Sequence, residues 1–161
     1  MTSELGSPTK TDRRVDQVDV RGPRFAAWLT TVVLVITLIV SSASLAAATV
    51  ILGVQAVVFA IGAIGGPRRH PYGLVFANLV ALRLAPVTER EPVPPLKFAQ
   101  LVGLVFAVVG TVGFATGLGI LGLIATGFAL LAAFLNAAFA ICLGCQLYPP
   151  VTRLRRSPTP A

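Results

Sequence analysis

Two long stretches of this chain carry no charge, and they decide what it can become. From Phe25 to Gly66 no side chain is ionisable, and from Phe98 to Val151 none is acidic or basic. A helix crossing ~30 Å of hydrocarbon needs ~20 apolar residues, so each stretch holds two crossings and a tight turn. In the first, the turn falls at Ser41-Ser42-Ala43-Ser44. That predicts helices over Phe25–Val40 and Leu45–Ile64, the second stopped by Gly65-Gly66-Pro67. In the second, the break is Gly117-Leu118-Gly119. Helices are then predicted over Phe98–Thr116 and Ile120–Leu147, with Pro149-Pro150 ending the last. Of the 161 residues 55% are hydrophobic and 12% charged, and the mean hydropathy is +0.85. So few polar side chains cannot cover a water-soluble domain of this size, which leaves the bilayer as solvent.

Between the two stretches lies Gly73–Ala85, apolar and closed by Pro71 and Pro86. As a helix it would reach only ~20 Å, too short to cross. It is expected to lie along the membrane interface or to re-enter it, with Arg83 snorkelling to the headgroups. The Pro-rich segment Glu89–Pro95 is expected to be an extended linker. The predicted fold is therefore an all-α membrane protein, four transmembrane helices arranged as two hairpins with a short interfacial helix between them. Residues 1–20 read as a disordered tail, 21–148 as the membrane unit and 149–161 as a disordered basic tail.

The net charge of +7 would suit a nucleic-acid binder, but its placement argues for topology instead. Lys10, Arg13, Arg14, Arg21 and Arg24 precede the first helix. Arg68, Arg69, Arg83, Arg90 and Lys97 occupy the central segment, and Arg153, Arg155 and Arg156 follow the last helix. The two short turns carry none. With four spans these regions share one side, and the positive-inside rule makes it the cytoplasm, the chain being read as an inner-membrane protein. A cleaved signal peptide ending near Ser41-Ser42-Ala43 is the weaker reading, because the charged lead is long and another membrane-length helix follows.

Chemistry is concentrated at the far end of the last helix. Cys142 and Cys145 are the only cysteines and stand as C-x-x-C. In a cytoplasm-facing protein that spacing reads as a redox pair or half a metal site. Placed on a continuous helix the thiols would share a face, too far apart for an unstrained disulfide, with Gly144 and Pro149 offering the backbone some give. The negative end of that helix would raise a thiol pKa and the nearby arginines would lower it. Packing by two small apolar side chains is the plainer alternative. A zinc site lacks ligands, since His70 is the one histidine.

Gln55, Gln100 and Asn136 are amides within or at the spans, where hydrogen bonding between helices is their expected role. A polar site for a permeant species is the sharper alternative for Asn136. Arg68, Arg69 and His70, with Arg83, form a basic interfacial set suited to lipid phosphates or simply to solvated, topology-setting charge. Gly103, Ala107, Gly110 and Gly117 make a small-residue stripe on the third helix, which lets helix backbones approach closely.

Three motifs taken in order carry a resemblance. Asp19-Val20-Arg21-Gly22-Pro23-Arg24-Phe25, Gly66-Pro67-Arg68-Arg69-His70-Pro71-Tyr72-Gly73, and Asn136 through Cys142-Leu143-Gly144-Cys145 to Tyr148 resemble domain of unknown function family 4395, small bacterial membrane proteins. The resemblance spans about residues 15–150. It implies a membrane location without an established activity, and a thioredoxin-like or sulfurtransferase partner by association only. No membrane-buried acid or base is present to drive proton-coupled transport, and no Walker loop, Ser-His-Asp set or His-Glu-x-x-His appears. No cofactor is implied. Two classes remain: a membrane thiol-redox or sulfur-relay protein, and a non-catalytic scaffold or assembly factor. A conduit for a small sulfur species is a third.

Overall fold

The computed structural model describes residues 16–83 and 89–148. Four helices long and apolar enough to cross a membrane dominate it: α1 Arg21–Ser41, α2 Leu45–Gly65, α4 Val93–Ala115 and α5 Gly119–Phe139. The expected Ser-rich turn joins α1 to α2, and the Ser44 side chain caps α2 by accepting from the Ala47 N–H at 3.2 Å. The α4–α5 turn passes through Gly117, whose φ of +78° is the left-handed conformation that glycine adopts without strain.

Between the hairpins the short apolar segment is helical but irregular. It begins as α3, Pro71–Val75, widens to a π-turn over Phe76–Val80 and tightens to a 3-10 turn at Ala81–Arg83. The tail of the segment expected to be interfacial, residues 84–85, lies outside the described residues, as do the two chain ends 1–15 and 149–161.

Helix starts depart from expectation for one shared reason. The first helix begins at Arg21 rather than Phe25, and α4 at Val93 rather than Phe98, each running through prolines. In a first turn the backbone N–H groups have no helical acceptor, so proline there sacrifices nothing. The extended linker shrinks accordingly. Its surviving part, β2 (Arg90–Pro92), pairs antiparallel with β1 (Gln17–Asp19), with Val18 opposite Glu91. The ribbon replaces a disordered tail over residues 17–19 and ties the chain before α1 to the chain before α4. Arg21 locks to Asp19 at 2.8 Å, Arg68 to Asp16 at 2.7 Å, and the Lys97 ammonium donates to the Ile64 carbonyl at 2.9 Å. All of this lies at one end of the bundle, the ribbon end. Both interhelical turns lie at the other.

The bundle is small inside and large outside. Leu34, Ala48, Leu52, Ala56, Phe59, Ala107, Phe114 and Ala129 form its buried core, while Ile64 and Ile120 are 80% and 76% exposed on the outer surface. This is the distribution expected when lipid covers the outside, since lipid gives large apolar side chains no reason to turn inward. Helix α2 packs chiefly on α4, and α1 on α5. A Cβ on Gly103 would stand 2.8 Å from the Phe59 ring, and one on Gly110 2.7 Å from Leu52. The predicted stripe is thus spent inside the bundle, on the α2–α4 contact, except for Gly117 in its turn.

The candidate functional site

Helix α5 ends earlier than the sequence indicates, and this changes the surroundings of both cysteines. Instead of continuing to Leu147, it stops at Phe139. Ala140 takes a left-handed conformation (φ 57°, ψ 23°), and the Leu135 carbonyl receives the N–H groups of both Ala140 and Ile141. Helical backbone resumes over residues 143–148, opened by the Gln146 N–H bonded to the Cys142 carbonyl at 3.1 Å. The expectation of two thiols on the negative end of a long helix is therefore corrected. Cys142 precedes a new helical turn, and Cys145 lies within it.

The two sulfurs are joined as a disulfide, with Cα atoms 5.2 Å apart, inside the ordinary range for such bonds. Taking Cys142 out of the helix frees its Cα–Cβ direction to turn toward Cys145. The Cys145 N–H points back at the Cys142 sulfur, 3.2 Å away, in the place where a capping serine oxygen would sit.

Two contacts hold this turn against α4. The Tyr148 ring meets Phe98 edge-on at 6.0 Å. Gly144 is buried on Ala99, so closely that a Cβ at 144 would stand 2.5 Å from the Ala99 Cα. Glycine in the C-x-x-C is required by this approach, whereas the sequence suggested only backbone looseness. Pro149, also expected to loosen the turn, and Arg153, Arg155 and Arg156, expected to tune the thiols, lie outside the described residues.

A cavity of about 280 Å³ adjoins the disulfide and is lined by Cys142, Gln100, Asn136 and Thr30 together with apolar side chains. On a continuous helix six residues would turn Asn136 and Cys142 ~120° apart; they share one cavity wall because the chain breaks between them. Gln100 also lines a second cavity of about 350 Å³ nearer the ribbon, with Asp19, Arg68 and His70.

The remaining predicted residues separate into buried and exposed. Gln55 is 1% exposed and accepts from the Tyr72 hydroxyl at 2.8 Å, a bond between α2 and α3 of the kind expected for a buried amide. Burial raises the Tyr72 pKa, keeping the hydroxyl a donor. His70 does not join an exposed basic set. Its ring is 3% exposed and lies against Gln100 in the space that Gly62 leaves open. Desolvation lowers its pKa to about 4, so the ring is neutral at pH 7. Arg68, Arg69 and Arg83 are exposed as expected, with Arg68 held by Asp16. Tyr72, Ala99 and Ala140 were missed by sequence reasoning. Tyr72 had a signal, a phenol in a Pro-bounded turn beside a chain with few buried acceptors. Ala99 and Ala140 had none. Among the described residues, no group of three or more His, Cys, Asp and Glu side chains gathers as a metal site.

A four-helix bundle built for lipid, with a cysteine pair at the broken end of its last helix, defines a class of small multi-pass membrane protein. The family described as Domain of unknown function (DUF4395) matches residues 18–153, and the chain belongs to that family. No curated protein and no solved structure matches it.

Proposed function

We propose that this protein is a thiol-redox or sulfur-relay protein of the bacterial plasma membrane. In this reading Cys142 and Cys145 cycle between disulfide and dithiol in exchange with a soluble, thioredoxin-like partner on the cytoplasmic side. The observation that carries the reading is the setting of the pair: both cysteines of the chain meet at a break in the last helix, half-buried, with a backbone N–H on the Cys142 sulfur. Packing cysteines inside a continuous helix need no such break.

The exchange is chemically complete. A partner thiolate attacks one sulfur of the disulfide, forming a mixed disulfide and expelling the other as thiolate. The partner's second thiolate then attacks the mixed bond. The membrane protein leaves as the dithiol and the partner as the disulfide, with two electrons moved and protons taken up from water. The cytoplasmic assignment is supported by the cations gathered at the ribbon end, Arg21, Arg24, Arg68, Arg69, Arg83, Arg90 and Lys97, against none at the opposite turns.

Trapping tests the chemistry. In cells expressing Cys142→Ser or Cys145→Ser, the remaining thiol should accumulate as a mixed disulfide with a dithiol protein, while membrane abundance stays at the wild-type level. If neither variant is trapped, and the wild-type pair stays reduced under oxidant stress, the redox reading is wrong and a scaffold role stands. Reporter fusions at residues 10, 80 and 158 should report cytoplasm, and insertions at Ser42 and Leu118 the outside. An outside signal at residue 80 would refute the orientation.

A further inference from the structure

The cavity behind the disulfide combines three features. Its wall contains a cysteine, Cys142, but no acidic or basic side chain. It opens toward lipid, because Phe128, Leu131 and Leu147 line it and are also exposed on the outer surface of the bundle. It also carries amides, Gln100 from α4 and Asn136 from α5. The larger cavity near the ribbon lacks the cysteine and carries charge at Asp19 and Arg68.

These features restrict what can occupy the site. A molecule arriving from the bilayer must be apolar over most of its surface. A wall without countercharge excludes anions and cations, which includes glutathione and most soluble thiols. Amides, with the Thr30 hydroxyl, in a mostly apolar wall suit a ligand with carbonyl or hydroxyl groups, because burying an amide unpaired is costly. The aromatic faces of Phe106 and Phe128, stacked at 5.9 Å, offer a flat surface for a ring. A sulfur in the wall makes exchange of electrons with the occupant possible.

We infer that this cavity seats the ring of a membrane-dissolved para-quinone, which reoxidises the Cys142–Cys145 dithiol. The inference rests on the redox reading above and adds the oxidant. The Cys142 thiolate adds to the quinone ring, forming a carbon–sulfur bond. The Cys145 thiolate attacks the Cys142 sulfur, making the sulfur–sulfur bond as the carbon–sulfur bond breaks with its electron pair staying on the ring. The two protons released by the thiols balance the two that the reduced ring takes up. Dithiol and quinone thus become disulfide and quinol. Of the two cysteines only Cys142 lines the cavity, so it is assigned the attack and Cys145 the resolution. The amides of Gln100 and Asn136 are the polar groups this wall offers to the oxygens of the ring.

The test uses full-length protein in phospholipid nanodiscs, reduced with dithiothreitol, desalted and kept free of oxygen. Decylubiquinone is added, quinol is followed by absorbance and free thiols by maleimide mass shift. Glutathione disulfide serves as a second, water-borne oxidant. One quinol should form per disulfide. Ala133→Phe, which fills the cavity, should lower the ratio of quinone rate to glutathione-disulfide rate by on the order of tenfold. Should that variant fail to fold, an azido-quinone photolabel on the wild type should attach to peptides of α4 and α5 and be displaced by decylubiquinone. If glutathione disulfide reoxidises the pair but the quinone does not, the cavity assignment fails and the redox reading survives. If neither oxidant acts, the redox reading falls with it. Quinol formed at an unchanged ratio in Ala133→Phe, or label placed outside α4 and α5, would also overturn the site.

Discussion

Gly144 rests directly on the backbone of Ala99, leaving 2.5 Å between the Ala99 Cα and the position a Cβ on residue 144 would take. Real Cβ atoms do not come that close to backbone, and α4 cannot yield locally as a flexible side chain would. Gly144→Ala should therefore lift the cysteine turn off α4. The expected destabilisation is about 1–3 kcal/mol, the range for overpacking a tight contact. Thermal unfolding in detergent measures it. Maleimide labelling of the reduced protein should show faster modification of Cys142, because the sulfur loses its shelter. Unchanged labelling and stability would mean that the turn is not held at Ala99.

A second contact is polar. The Tyr72 hydroxyl supplies a hydrogen bond to Gln55, whose side chain is sealed inside the bundle. Tyr72→Phe removes the donor and strands the amide, which should cost about 1 kcal/mol, the usual worth of such a bond between membrane helices. On a Gln55→Leu background the same substitution should cost close to nothing. A double-mutant cycle by thermal unfolding gives the coupling. Equal costs on both backgrounds would show that the phenol acts by packing alone.

The spans were legible because absence of charge over a bilayer's length is a coarse signal that needs no local detail. The turn at Ser41–Ser44 was legible for the same reason, being the polar interruption in an uncharged run. Chain ends of helices were not. Arg21 and Val93 begin helices behind prolines because a first turn has donors to spare, so proline marks no boundary there. The end of α5 is the harder case. Ala137-Ala138-Phe139-Ala140-Ile141 contains neither glycine nor proline and reads as helix throughout. The break there is fixed by long-range contacts, Gly144 on Ala99 and Tyr148 on Phe98, together with the disulfide. None of these can be seen in a local window, and so the helix was read as running on past both cysteines. His70 was misplaced similarly. Its neighbours Arg68 and Arg69 are exposed, and only the open space over Gly62 reveals that its ring turns inward.

Glycines on α4 and α5 give a paired prediction. A Cβ on Gly113 would fall 2.6 Å from the Gly122 backbone nitrogen, whereas one on Gly127 meets nothing within 4 Å. Gly113→Ala should therefore push α4 from α5 and destabilise the bundle. Gly127→Ala, free of contact, should gain up to about 1 kcal/mol from helix propensity. The two variants differ by one methyl group each on adjacent helices, so opposite shifts in the unfolding midpoint would isolate backbone approach as the cause. Shifts of the same sign would contradict the α4–α5 packing.

The last prediction concerns pH and the buried imidazole. Desolvation holds the His70 pKa at about 4 in the folded chain, against an ordinary 6.5. A depressed folded pKa means that the unfolded chain binds the proton more readily. The stability contributed by the neutral ring is therefore complete above about pH 6.5 and is lost progressively as pH falls toward about 4. By pH 5 the loss should reach about 2 kcal/mol. Tyr72, at 5.3 Å, is uncharged in this window, and Gln100, whose side chain favours the charged ring, offsets the desolvation only in part. Glu91 in β2 works in the opposite direction, since burial raises its pKa and folding then favours its protonated form. Total pH dependence therefore mixes the two, and His70→Gln separates them. Unfolding midpoints in detergent should fall between pH 7.5 and 5 for the wild type and should fall less, or rise, for His70→Gln. Identical slopes for both proteins would show that His70 is reached by water and titrates as an ordinary surface histidine.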